Sequence, residues 1–102
     1  MQTTHERPTA FDESELEKAT RIGDNLVRDF RVIIVGYAKT RANDPRKITA
    51  DQAKKMVSKH ITAQLKHVFR NKEPQQLEEV IVALKEAISA NIDALYAEHS
   101  PK

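Results

Sequence analysis

Four histidines and several runs of carboxylates are the side chains here that could do chemistry, and their spacing restricts what that chemistry is. His60 and His67 lie seven positions apart, two turns or about 10.5 Å along a helix, so they share a face without reaching one metal ion. His5 and His99 stand near the chain ends, and no metal site is expected. His60 falls on an apolar stripe and reads as a hydrogen-bonded core or interface histidine.

The carboxylates fare no better as catalysts. General acid/base work needs a pair enclosed in a pocket, whereas Glu13, Glu15, Glu17 and Glu78-Glu79 fall where acids solvate a helix face or complement its N-terminal dipole. Gly23 and Gly36 are isolated, so no glycine-rich phosphate loop exists, and neither a nucleophile elbow nor an HExxH motif occurs. Without cysteine there is no disulfide, thiolate zinc site, thiol nucleophile or iron–sulfur cluster. No catalytic residue, cofactor or enzyme activity is expected.

The charged residues carry more information. The formal net charge is only +2, yet the charge is segregated along the chain. Residues 1–45 hold seven Lys/Arg and eight Asp/Glu; residues 46–72 hold eight basic residues against Asp51 alone; residues 73–101 hold six acids against Lys85 alone. Lys55, Lys59, Lys66 and Arg70 lie close together on a helical wheel and form a candidate nucleic-acid contact. The alternative, which we favour, is that the basic helix lies beside the acidic one and their charges cancel locally with little effect on stability. The basic segment offers one helical Arg and no exposed aromatic for base stacking. Ile48 to Ala53 reads like the opening of a helix-turn-helix, but no Gly, Pro or Asn follows before Asn71 to make the turn.

Three helices must position these groups, and the chain is long enough for one domain. Residues 1–10 are polar and aperiodic and read as a disordered tail; residues 11–102 form a single helical domain. The first helix, about 12–42, opens with Asp12 as cap, Glu15 bonding back, and Phe11 and Leu16 spaced as a hydrophobic staple. Its stripe is Leu16, Ala19, Gly23, Leu26, Phe30, Ile33 and Tyr37, and Asn43-Asp44-Pro45 ends it. Four β-branched residues, Val32 to Val35, offer a competing strand, but the chain holds no partner for one. Gly23-Asp24-Asn25 is where the helix could bend. The second helix, about 49–71, opens on a Thr49/Gln52 capping box, and the third, about 74–98, on Pro74. Their short loops make the fold all-α, a small bundle of three long antiparallel helices.

Dimerisation is expected to complete the bundle. A 30-residue first helix, about 45 Å long, exceeds the roughly 34 Å diameter of a domain this size, and its apolar residues outnumber what two neighbours cover. The third helix repeats Ile81, Ile88 and Leu95 at one seam position and Leu77, Leu84 and Asn91 at the other, so that Asn91 either sets the register of a pair or faces the edge of an intramolecular bundle. The expected partner or dimer interface is Leu26, Phe30, Ile33, Ile34, Tyr37, Ile81, Leu84, Ile88, Asn91 and Leu95. No apolar run approaches the roughly 20 residues of a membrane span and the N-terminus has no secretory pattern, so a soluble cytoplasmic protein is expected. Such a chain fits a small non-enzymatic regulator acting by protein–protein contact, for example an antiactivator masking a surface of a transcription regulator. The alternative is a nucleic-acid binder using its basic helix.

Overall fold

The computed structural model describes residues 11–101, which form helices α1 (Glu13–Lys39), α2 (Ala50–Val68) and α3 (Pro74–His99), each packed on the other two. No strand occurs among the described residues. The tail expected at 1–10 lies outside them.

Both capping boxes form as their sequences dictate. The Asp12 carboxylate accepts from the Glu15 N–H at 2.8 Å while the Glu15 carboxylate accepts from the Asp12 N–H at 3.2 Å. Thr49 and Gln52 repeat this at 3.2 and 2.9 Å. Phe11, expected to staple onto Leu16, packs its ring against Phe69 instead, at 4.8 Å, and Leu16 stays 42% exposed.

α1 runs unbroken through Gly23 and Gly36. Its β-branched run is helical because Ile34, 1% exposed, and half-buried Val35 are held in the core, and burial outweighs intrinsic propensity. The helix stops at Lys39, short of the expected end near 42, where Thr40 turns extended and its hydroxyl donates to the Gly36 carbonyl. α2 is continuous from Ala50 to Val68, which excludes a helix-turn-helix turn within it. It too ends early, because Phe69 leaves helical geometry to bury its ring.

The core lies along the bundle axis. α2 contributes Ala53, Val57, Ile61 and Leu65, all at 0% exposure, one per turn. They meet Ala19, Leu26, Ile34 and Ala38 of α1 and Leu77, Ile81, Ile88, Ile92 and Leu95 of α3. Gly23 is buried between α1 and α3, yet a β-carbon built on it would meet Leu84 Cδ2 at 3.5 Å, an ordinary contact distance, so the packing does not require glycine there. With 27 and 26 residues, α1 and α3 are each about 40 Å long. α1 therefore has a companion of its own length within the chain, and its length gives no reason for a second copy.

Candidate functional site

Four of the eight basic residues between Arg46 and Lys72 are engaged by other groups of the chain, Arg46 only within its own loop. The Lys47 ammonium donates to the carbonyls of Tyr37, Ala38 and Thr40 at 3.0, 3.2 and 2.7 Å, closing the C-terminus of α1, and lies 5.2 Å from the centre of the Tyr96 ring. A cation there meets both the carbonyls at the end of the helix, of which that of Tyr37 also accepts from the Thr40 N–H, and the negative end of the helix dipole. Arg46 pairs with Asp44 at 3.2 Å and holds that carboxyl below its ordinary range. Lys54 pairs with Asp93 of α3 at 2.7 Å. Lys72, buried, pairs with Glu15 and stands 5.4 Å from the Phe11 ring centre. The Lys72 ammonium, with the Asp12 N–H, holds the Glu15 carboxyl below the usual carboxylate range. Glu15 thus accepts at the cap as its spacing from Asp12 predicts, and is in addition an ion-pair partner, which its reading as a solvating or dipole-complementing carboxylate did not include.

Lys55, Lys59, Lys66 and Arg70, the residues singled out as a phosphate-binding face, are all exposed. None has an ion-pair partner among the described residues; Arg70 donates to the His67 carbonyl at 3.1 Å. The structure separates the four. Lys55 and Lys59 line an open groove of about 600 Å³ between α2 and α3, together with Lys54, Ser58, Thr62, Ala63 and Lys85; Lys66 and Arg70 do not.

Lys85 was invisible in the sequence as a member of this group, being the single base of an acidic stretch. The missing information is register. Because α2 and α3 run antiparallel with Lys54 opposite Asp93, a residue eight on from Lys54, Thr62, comes level with one eight before Asp93, Lys85. The expected cancellation of charge between the two helices is correspondingly local: Lys54–Asp93 is the ion pair joining them among the described residues.

The apolar candidates divide sharply. Leu26, Ile34, Ile81, Ile88 and Leu95, expected at a partner surface, are between 1% and 6% exposed and belong to the chain's own core, because α1 and α3 turn those stripes toward each other and toward α2. Leu84 is half-buried against the same core. Asn91 is exposed and lines a small α1/α3 cleft beside Thr20, Gly23 and Asp24, at the edge of the bundle. Phe30 and Tyr37 are half-buried, and Ile33 is 45% exposed. Val32, named in the β-branched run but not in the expected interface, is the most exposed large apolar residue among the described residues, at 81%. With Arg31, Val35, Gly36, Lys39 and His99 it lines a shallow groove of about 410 Å³.

His60, read as a core or interface histidine, is exposed and so is not in the core; its ring tilts against Phe30 at 5.0 Å. Among the described residues no group of three or more His, Asp or Glu is placed to hold a metal ion, and no helix is long and apolar enough to cross a membrane. Two surfaces of different chemistry are thus exposed, a groove lined by lysines between α2 and α3 and the outward apolar residues of α1. Comparison of the chain with protein-family models, with curated proteins and with solved structures finds no match.

Proposed function

We propose that this protein is a small non-enzymatic regulator that acts by protein–protein contact, with the outward strip of α1 as its contact surface, and that it self-associates as a homodimer. The observation that carries the reading is the exposure of Val32 and Ile33, at 81% and 45%, beside half-buried Phe30 and Tyr37. Isolated exposed apolar residues need no explanation, but here Val35 lines a groove with Val32, and Phe30 and Tyr37 stand one turn either side of Ile33, so the outward side of α1 carries more apolar surface than scattered residues would. Arg31 and Lys39 flank it in sequence, which favours an apolar helix with acidic neighbours as the facing element. An antiactivator that masks a surface of a transcription regulator would use such a strip.

Light scattering at micromolar concentration tests the self-association and should return twice the monomer mass. The variants Val32→Asp and Ile33→Asp, whose side chains already face water, should fold and return the monomer mass. Capture from host extract, with and without nuclease, then tests the target: a protein retained by the wild type after nuclease treatment and lost with Val32→Asp supports the reading. Retention that needs nucleic acid, or that ignores both variants, overturns it.

A further inference from the structure

The groove between α2 and α3 presents a different chemistry from the strip on α1. Its lining includes four lysines, three from α2 and one from α3, together with Ser58 and Thr62. Lys54 is committed to Asp93, and also lies 3.9 Å from Asp51. Lys55, Lys59 and Lys85 have no acidic partner among the described residues. Like charges gathered along one groove repel, which raises the free energy of the empty groove and favours an anion among them.

The second observation concerns Thr62. Thr62 Oγ1 is buried and has no hydrogen-bond partner. A helical threonine ordinarily satisfies its hydroxyl on the carbonyl one turn back, and a buried hydroxyl left without a partner is uncommon because it forfeits its bond to water. Thr62 lines the groove beside these lysines, and a change of its χ1 rotamer would bring the hydroxyl from its buried position to an anionic oxygen.

We infer that this groove binds a compact linear polyphosphate, such as a di- or triphosphate group, through Lys55, Lys59, Lys85 and the Thr62 hydroxyl. The choice against a nucleic-acid duplex rests on the surroundings. Exposed Glu78, Glu79 and Glu86 share α3 with Lys85, and a long phosphodiester backbone laid across the bundle would meet them. A short polyanion held inside the groove does not. The lining includes no aromatic side chain to stack on a base, so recognition falls on the phosphates. A groove of about 600 Å³ is of small-ligand size.

Calorimetric titration of the full chain with inorganic triphosphate at low salt tests this, with adenosine triphosphate and a short DNA duplex as parallel arms. Triphosphate should bind with a dissociation constant below about 1 mM and weaken as salt rises. Lys59→Gln and Lys85→Gln should each weaken it about three- to tenfold, the range for losing one charge-assisted contact near the surface. Thr62→Val removes no charge and no existing hydrogen bond, so it should fold as the wild type does and still weaken binding about threefold. Lys66→Gln and Arg70→Gln, outside the groove, should change nothing. Equal affinity for the two small ligands assigns the site to the phosphate chain alone, and tighter binding of adenosine triphosphate assigns it to a nucleotide. Absence of binding at low salt overturns the inference. So does equal weakening by Lys66→Gln, or a duplex that binds more tightly than triphosphate, because either result describes a diffuse basic surface.

Discussion

Replacing Lys47 by Met removes one ammonium shared by three carbonyls, those of Tyr37, Ala38 and Thr40, of which Tyr37 keeps the Thr40 N–H as a donor. A hydrogen bond to a charged group nets about 1.5–3 kcal/mol, and a cation at a helix C-terminus adds about 0.3–1 kcal/mol. The three bonds cannot be summed, since one charge is desolvated to make all of them, and part of each carbonyl regains water in the variant. The Met stem still covers the Tyr96 ring. The net expectation is a loss of about 2–3 kcal/mol, or roughly 10–20 °C in midpoint at the slope usual for a domain of this size. Urea and thermal unfolding followed by circular dichroism at one fixed protein concentration would measure it, since association shifts apparent stability. Lys39→Met is the control. Lys39 also lies in the last turn of α1 but is exposed, so it should cost no more than the dipole contribution, about 0.3–1 kcal/mol. If the two variants unfold within about 0.5 kcal/mol of each other, the Lys47 cap contributes only general electrostatics and the reasoning fails.

Three further outcomes follow from the same geometry. Gly23→Ala and Gly36→Ala should each stabilise by about 0.5–1 kcal/mol, since both sites are helical with negative φ, an added β-carbon at Gly23 meets Leu84 at ordinary contact distance, and nothing lies within 4 Å at Gly36; a loss at Gly23 in denaturant melts would mean that α1 and α3 pack closer than described. Tyr96→Phe deletes the 2.6 Å bond from its hydroxyl to the Ile48 carbonyl and should cost about 1–2 kcal/mol. Burial raises the Tyr96 pKa above 10.0, so its neutral form is the one the fold favours: that stability is complete below pH 10.0 and declines as pH rises through the folded value, a dependence Tyr96→Phe should lack. Glu15 has the opposite sign. Its pKa is lowered from 4.5, so its contribution is present above that pH and is lost as pH falls through the folded value, and acid titrations of Glu15→Gln should show a shallower decline than the wild type.

Much of the fold was legible because helix signals are local. The capping boxes at Asp12 and Thr49, the proline at position 74 and the four-residue spacing of Ala53, Val57, Ile61 and Leu65 each sit within a few residues of the feature they determine. What failed was whatever depended on a neighbour distant in sequence. Phe11 left its expected local partner for Phe69, Glu15 gained Lys72 as an ion-pair partner, and α2 ended early because Phe69 turned inward. The extent of the first helix was overread for a related reason: nothing in Thr40 to Ala42 breaks a helix by composition, whereas the Lys47 ammonium and the Thr40 hydroxyl satisfy the last carbonyls of a helix that stops at Lys39.

The charge pattern shows most plainly how a correct sequence observation changes meaning once registers are fixed. A middle segment rich in lysine and a final segment rich in glutamate suggested mutual neutralisation, and a helical wheel drawn on one helix grouped Lys55 and Lys59 with Lys66 and Arg70. The wheel treats positions two turns apart along one axis as a common patch, but a groove between two helices is built from short stretches of both. Once α3 is laid antiparallel on α2, the lone base of the acidic segment comes level with Thr62 and joins Lys55 and Lys59, while Lys66 and Arg70 fall outside the lining. Neutralisation is confined to Lys54 and Asp93 at one end, which leaves three ammonium groups of the groove without an acidic partner among the described residues. The apolar strip on α1 is made of other residues on another helix. A substitution at Val32 therefore leaves the groove lining untouched, and one at Lys85 leaves the strip untouched, so each surface can be removed while the other serves as the control for folding.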